Sequence, residues 1–134
     1  MNPFPLEIVT PDGIAFSGEV ESLLVRTDNG DIEFLKGHED YFAPLGIGRA
    51  RILAGGESRY ASSAGGFVSV SGGRITVCAT TFEFTEEIDL NRARKAKERA
   101  EAMLAKANDE KALNNARAKL YRAINRINVK ESFK

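Results

Sequence analysis

The sequence predicts an antiparallel β-sandwich over residues 1–84, followed by an antiparallel two-helix hairpin over residues 85–134. Three observations predict it. All 12 glycines and all 4 prolines fall within the first 73 residues, the mark of a turn-rich β region ahead of a helical one. Four glycine-containing dipeptides punctuate that first part at hairpin-like intervals. From Asp89 onward the apolar residues recur with a period of about 3.6, that of an α-helix.

The elements follow in order. The four dipeptides are Asp12-Gly13, Asn29-Gly30, Gly55-Gly56 and Gly72-Gly73. Tight hairpins need positive φ at their central residues, which Gly and Asn supply cheaply. Strand-like runs flank each one. Leu6 and Ile8 alternate with Glu7 before the first, and Leu23-Leu24-Val25 and Ile32/Phe34 bracket the second. Arg51-Ile52-Leu53 precedes the third, and Val68/Val70 and Ile75/Val77 bracket the fourth. Regularly spaced short strands of this kind read as an antiparallel sandwich or barrel. About 84 residues bury only a modest core. In the helical part, Asp89 is an N-cap, with Glu86 and Glu87 beside the positive helix end. Ala93, Ala96, Ala100, Met103 and Ala107 mark one face. Asn108-Asp109 interrupts and starts a second helix, whose apolar face is Leu113, Ala116, Leu120, Ala123, Ile124 and Ile127. So short a connection makes the helices antiparallel neighbours. Small side chains on the inner face of the first helix bury little area, so the hairpin is expected to be weakly held. Residues 130–134 read as a frayed tail.

Composition bounds the function. The hydrophobic fraction of 43% and charged fraction of 28% are those of an ordinary globular protein. No run of about 18 apolar residues offers a membrane-spanning helix. Met1 to Pro5 does not resemble a secretory leader, which makes the cytoplasm the expectation. The single cysteine, Cys78, sits in an apolar run and reads as a small core residue. The net charge of zero hides a split. Residues 1–84 carry 6 Lys/Arg against 11 Asp/Glu, a net −5, and residues 85–134 carry 13 against 8, a net +5. Such asymmetry suggests two parts with different partners.

No catalytic constellation is present. There is no phosphate-binding P-loop, and Gly46-Ile47-Gly48 lacks the third glycine and the helix that dinucleotide binding needs. His38 and Cys78 alone make no metal site, and His38 reads as a turn or packing residue. Asp28, Asp31, Glu39 and Asp40 form an acidic group that is either a solvated loop or a contact surface. The helical arginines say more. Arg92 and Arg99 are seven apart on one helix face, and Arg122 and Arg126 are four apart on another. Folding the hairpin about Asn108-Asp109 sets Arg92 level with residue 125, in one slice with Arg122 and Arg126. Three guanidiniums so placed either splay into solvent or share an anion such as a carboxylate or phosphate. Two further classes stay open at this point. One is a sandwich adaptor whose basic helices grip nucleic acid or an acidic protein. The other, a hydrolase, rests on nothing beyond scattered carboxylates. Against nucleic acid, the helices carry no aromatic but Tyr121, and Glu98, Glu101 and Glu110 alternate with the basic residues.

The residues also resemble a known family. Leu6-Glu7-Ile8-Val9-Thr10-Pro11, Gly18-Glu19-Val20 and Val25-Arg26-Thr27 are similar to the opening of the epsilon subunits of bacterial F-type ATP synthases. Gly30-Asp31, Gly37-His38, Leu45-Gly46-Ile47-Gly48, Gly65-Gly66-Phe67-Val68 and Ile75-Thr76-Val77 continue the likeness. Ile88-Asp89-Leu90-Asn91-Arg92-Ala93 through Arg99 resembles the first-helix motif, and Arg122-Ala123 with Arg126 the end of the second. Lys36, Glu39–Phe42 and Phe82-Glu83-Phe84 depart from the usual pattern. The resemblance implies a ten-stranded sandwich that binds the gamma subunit and the c-subunit ring. It also implies helices that either fold down on the sandwich or extend to the alpha/beta catalytic hexamer and inhibit ATP hydrolysis. The chain is then a non-catalytic rotor subunit with no required cofactor and no nucleic-acid partner. It would lie on the cytoplasmic face of the bacterial membrane, held there only through the complex. Rotor contact falls to Asp31, Gly37, His38, Glu39, Asp40 and Tyr41. Some bacterial members bind ATP as a regulatory ligand on the hairpin, and the residues resembling that site are Glu83, Asp89, Arg92, Arg99, Arg122 and Arg126.

Overall fold

The computed structural model describes residues 2–133. The chain separates into two compact units, a sheet unit ending at Phe84 and a helical unit beginning at Thr85. The sheet unit holds β1 (Phe4–Thr10), β2 (Gly13–Val20), β3 (Ser22–Thr27), β4 (Gly30–Phe34), β5 (Tyr41–Pro44), β6 (Ile47–Ala54), β7 (Glu57–Ser71) and β8 (Arg74–Phe84). Along the sheet the order is β2-β1-β8-β7-β6-β3-β4, with β5 added beside β7.

Eight strands stand where the resemblance implied ten, because β7 and β8 each serve both layers. β7 pairs with β6 from Glu57 to Ala64 and with β5 from Phe67 to Val70. Gly65 and Gly66 lie at the change of partner, with φ of +71° and +88°. Their main chain bonds to the β5–β6 connection, with Leu45 N donating to Gly66 O at 2.9 Å and Gly65 N to Gly46 O at 3.4 Å. Side-chain parity shifts at the same level. In β8 the core-facing residues are Ile75, Val77 and Ala79, then Phe82 and Phe84. One layer is β4, β3, β6 and the far halves of β7 and β8. The other is β5, the remaining halves of β7 and β8, β1 and β2. A single core fills the space between, with Ile8, Val20, Leu23, Val25, Phe34, Val68 and Val77 all fully buried. One pairing is not antiparallel. β1 runs parallel to β8, Leu6 opposite Ile75 through Val9 opposite Cys78, because no hairpin joins them.

The four expected turns are all hairpins, but of two kinds. Gly55-Gly56 and Gly72-Gly73 occupy both central positions, with φ of +59°/+80° and +57°/+80°. These match the right-handed twist of the strands. In the other two the central residues are Pro11-Asp12 and Asp28-Asn29, and glycine closes the turn, Gly13 opposite Thr10 and Gly30 opposite Thr27. Each uses the same threonine device. Thr27 Oγ1 accepts from Asn29 N at 3.1 Å and donates to Gly30 O at 2.8 Å, and Thr10 repeats this with Asp12 and Gly13. Cys78 is only half-buried, contrary to the sequence reading, because it alternates with the inward Val77 and Ala79.

The helical unit opens with a 3-10 turn, Thr85–Glu87, and continues as α1 (Leu90–Lys106) and α2 (Glu110–Ser132). Both N-caps are aspartates. Arg92 N donates to Asp89 Oδ1 at 3.1 Å, and Ala112 N to Asp109 Oδ1 at 2.8 Å. Folding about Asn108 sets Ala93 level with Ala123 and Ala100 with Ala116, and these four are the buried alanines. Most of the larger apolar residues of the two helices bury less, and Met103 is exposed. The expected frayed tail is instead the last turn of α2. Val129 is buried, Lys130 Nζ donates to Thr85 O at 2.8 Å, and Arg94 pairs with Glu131 at 3.3 Å. Lys134 lies outside the described residues. No helix is long and apolar enough to cross a membrane among the described residues.

Candidate functional site

Apart from Glu83, the two expected sites fall in separate units. In the helical unit, Arg92 and Arg99 are exposed on α1, and Arg122 and Arg126 are half-buried on α2. The antiparallel register puts Arg92 level with Ile124, between Arg122 and Arg126, as spacing alone suggested. Neighbouring cations are already used, Arg94 by Glu131 and Lys130 by a carbonyl. By contrast, the guanidiniums of Arg92, Arg99 and Arg122 make no hydrogen bond or ion pair among the described residues. Such donors suit a phosphate, which guanidinium meets in bidentate fashion. Asp89 is committed to its helix cap, so one of its oxygens already faces main chain rather than ligand. Glu83 belongs to the sheet unit, opposite Ser62 near the end of β8.

The expected rotor residues do not form one cluster. Asp31 stands at the start of β4, beside the Asp28-Asn29 turn. Gly37 to Tyr41 follow its end, separated by roughly 10 Å of extended chain. Asp31 is not a free acid, since Arg26 and Arg49 approach it at 3.4 and 3.3 Å. The stem of Arg26 passes over Gly48, where a Cβ would lie 2.5 Å from Arg26 Cβ. That close approach accounts for the second glycine of Gly46-Ile47-Gly48. His38 is a packing residue. Its ring meets Phe34 edge-on at 4.7 Å and Tyr41 at 5.7 Å, and its Nδ1 lies 2.8 Å from Glu39 O. Gly37 takes φ +87°, and Asp40 Oδ1 accepts from Gly72 N at 3.1 Å, tying this segment to the β7–β8 turn.

Two features escaped the sequence reading. Phe42, exposed on edge strand β5, stacks on Phe67 at 5.1 Å. The aromatic character of Glu39–Phe42 was the available signal, but the partner is 25 residues away. The second is a triad on β3, β4 and β6. Buried Ser22 donates to Glu33 Oε2 at 2.6 Å, and Arg51 bonds both. The Ser22 hydroxyl above all holds the Glu33 carboxyl below the usual glutamate range, opposed by burial and helped by the Arg51 guanidinium. A lowered folded-state pKa favours the folded state above the ordinary glutamate pKa, and this contribution disappears as pH falls through the lowered value. We therefore expect Glu33→Gln to lose stability at neutral pH and to converge on the parent in acid. Thermal melts across pH check this, and parallel curves would contradict it. Because Glu33 is largely exposed, the difference is small.

Comparison with known proteins decides the family. Residues 3–85 match the beta-sandwich domain of the ATP synthase Delta/Epsilon chain, and residues 86–131 match its long alpha-helix domain. The chain belongs to the ATP synthase delta/epsilon family. Relatives within it include the ATP synthase epsilon chain of Caldicellulosiruptor saccharolyticus, 40% identical over 98% of this chain and 96% of that one. The epsilon chain of Bacillus cytotoxicus is 40% identical over 96% and 97%. Among solved structures, a chain of the Euglena gracilis mitochondrial ATP synthase, seen with OSCP, F1 and the c-ring, superposes with a TM-score of 0.76. It is 25% identical over 89% of this chain and 76% of that one. A chain from the Tetrahymena thermophila mitochondrial ATP synthase shares the fold, with a TM-score of 0.69 at 10% identity over 94% and 95%.

Proposed function

We propose that this chain works as the epsilon subunit of an F-type ATP synthase, a non-catalytic part of the central stalk. The observation that carries the reading is the end-to-end match of both units, in order, to the two domains of one family. The sheet unit binds the gamma subunit and the c-ring, at the cytoplasmic face of a bacterial membrane that it meets only through the complex. Its contact residues include Asp31 and the Gly37–Tyr41 segment. The helical unit regulates ATP hydrolysis at the alpha/beta hexamer. Its net charge of +5 favours an acidic docking surface, and its alanine-lined contact makes a change of partner inexpensive. Full-length chain mixed with a gamma-type subunit is expected to co-elute on size exclusion, and separate elution would contradict the role.

ATP is the regulatory ligand in this reading, held by Arg92, Arg99, Arg122 and Arg126 with Asp89. The unpartnered guanidiniums of Arg92, Arg99 and Arg122 support it. Bound nucleotide supplies the phosphate charge that relieves their mutual repulsion, so it stabilises the compact hairpin by mass action. At nucleotide 100-fold above Kd the gain is about 2.7 kcal/mol. Thermal melts of the full chain should rise with ATP, and Arg122→Ala should remove most of the rise. An unchanged melt at millimolar ATP discards the site while leaving the rotor role standing.

A further inference from the structure

The turn between β3 and β4 carries a reactive amide. Asn29 is exposed at its second central position, and its carboxamide makes no hydrogen bond among the described residues. The turn is held instead through Thr27 Oγ1, which bonds only the main chain of Asn29 and Gly30. Gly30 has φ +113° and brings no side chain of its own to the junction, and nothing lies within 4 Å of where a Cβ would be. The turn also leads into β4, an end strand of the sheet, where opening costs least.

We propose that Asn29 is a site of spontaneous deamidation in the folded chain. The Gly30 nitrogen, giving its proton to solvent base, attacks Asn29 Cγ. The adduct expels the carboxamide nitrogen as ammonia and closes a five-membered imide. Water then opens the imide at either carbonyl, leaving aspartate or an isoaspartyl linkage, with no oxidant or reductant involved. The other asparagines are less favourably placed. Asn2 precedes Pro3, which has no N–H to give up. Asn91, Asn114, Asn115, Asn125 and Asn128 lie in α1 and α2, and Asn108 is followed by a residue with a side chain. The product places a carboxylate between Asp28 and Asp31. Its isoaspartyl form also adds a backbone methylene to a two-residue loop that is followed by Gly30 and then by Asp31, which Arg26 and Arg49 clamp. The modification stands independently of the rotor role.

Trypsin releases residues 27–36, between Arg26 and Lys36, as a peptide whose sole amide side chain is Asn29. Full-length folded chain incubated at mildly alkaline pH should gain in that peptide the mass of an amide-to-acid exchange. The gain should come several-fold faster than in any other asparagine-bearing peptide, with methyl acceptance by an isoaspartate methyltransferase. Asn29→Gln should abolish both signals. An unmodified peptide in the folded chain, alongside a modified one in the urea-unfolded chain, would show that the turn shields the amide and would overturn the proposal. Earlier modification of a helical asparagine would do the same.

Discussion

Gly66→Ala is expected to destabilise the sheet unit by about 3 kcal/mol or more, through strain at a positive φ and overpacking together. Gly66 takes φ +88°, and a Cβ there would lie 1.7 Å from Cys78 O and 2.8 Å from Cys78 C. Those are main-chain atoms of the neighbouring strand, so no rotamer relieves the clash. The residue also accepts the Leu45 N–H at the point where β7 trades β6 for β5. Pushing β8 away therefore disturbs both layers at once. For a unit of this size the loss lowers the melting midpoint by on the order of 10–20 °C. Gly72→Asn is the control. Its φ is +57° with nothing within 4 Å, so asparagine, which tolerates that region, should cost about 1 kcal/mol or less. Equal melting of the two variants would refute the assignment of Gly65-Gly66 as the hinge between layers.

What the sequence made legible was local. Aspartate caps at Asp89 and Asp109, the glycine-marked turns and the alanine face of the hairpin all depend on neighbours within a few residues, and the structure has each of them. The family likeness extended this to the sandwich as a whole. What stayed hidden was non-local. Nothing near Leu6 signals a parallel partner at Ile75. The transfer of β8 between layers was written in its pattern, apolar at 75, 77 and 79 and then at 82 and 84, but a slip in period two reads as noise until the bend in β7 explains it. The acidic group was read as one patch because its members are close in sequence. Extended β4 sets Asp31 apart from His38 and Asp40, and the arginines that clamp Asp31 come from β3 and β6. In the last residues the sequence showed mostly polar character. The Lys130 bond to Thr85 and the Arg94–Glu131 pair, which hold that turn helical, join residues 45 and 37 positions apart.

The second large effect concerns the division of labour between the units. The sheet unit has its own core, and the helical unit closes on itself through the buried alanines, the Arg94–Glu131 pair and the Lys130–Thr85 bond. Loss of the helices therefore leaves the sheet core intact. If the sheet unit anchors and the hairpin regulates, a chain ending at Phe84 keeps its place on the rotor but no longer restrains the catalytic hexamer. The most direct measurement is ATP hydrolysis by the assembled F1 complex carrying either the full chain or the chain truncated after Phe84. The truncated chain should co-purify with gamma in unchanged amount while hydrolysis rises several-fold. Unchanged hydrolysis, or loss of the truncated chain from the complex, would contradict the account.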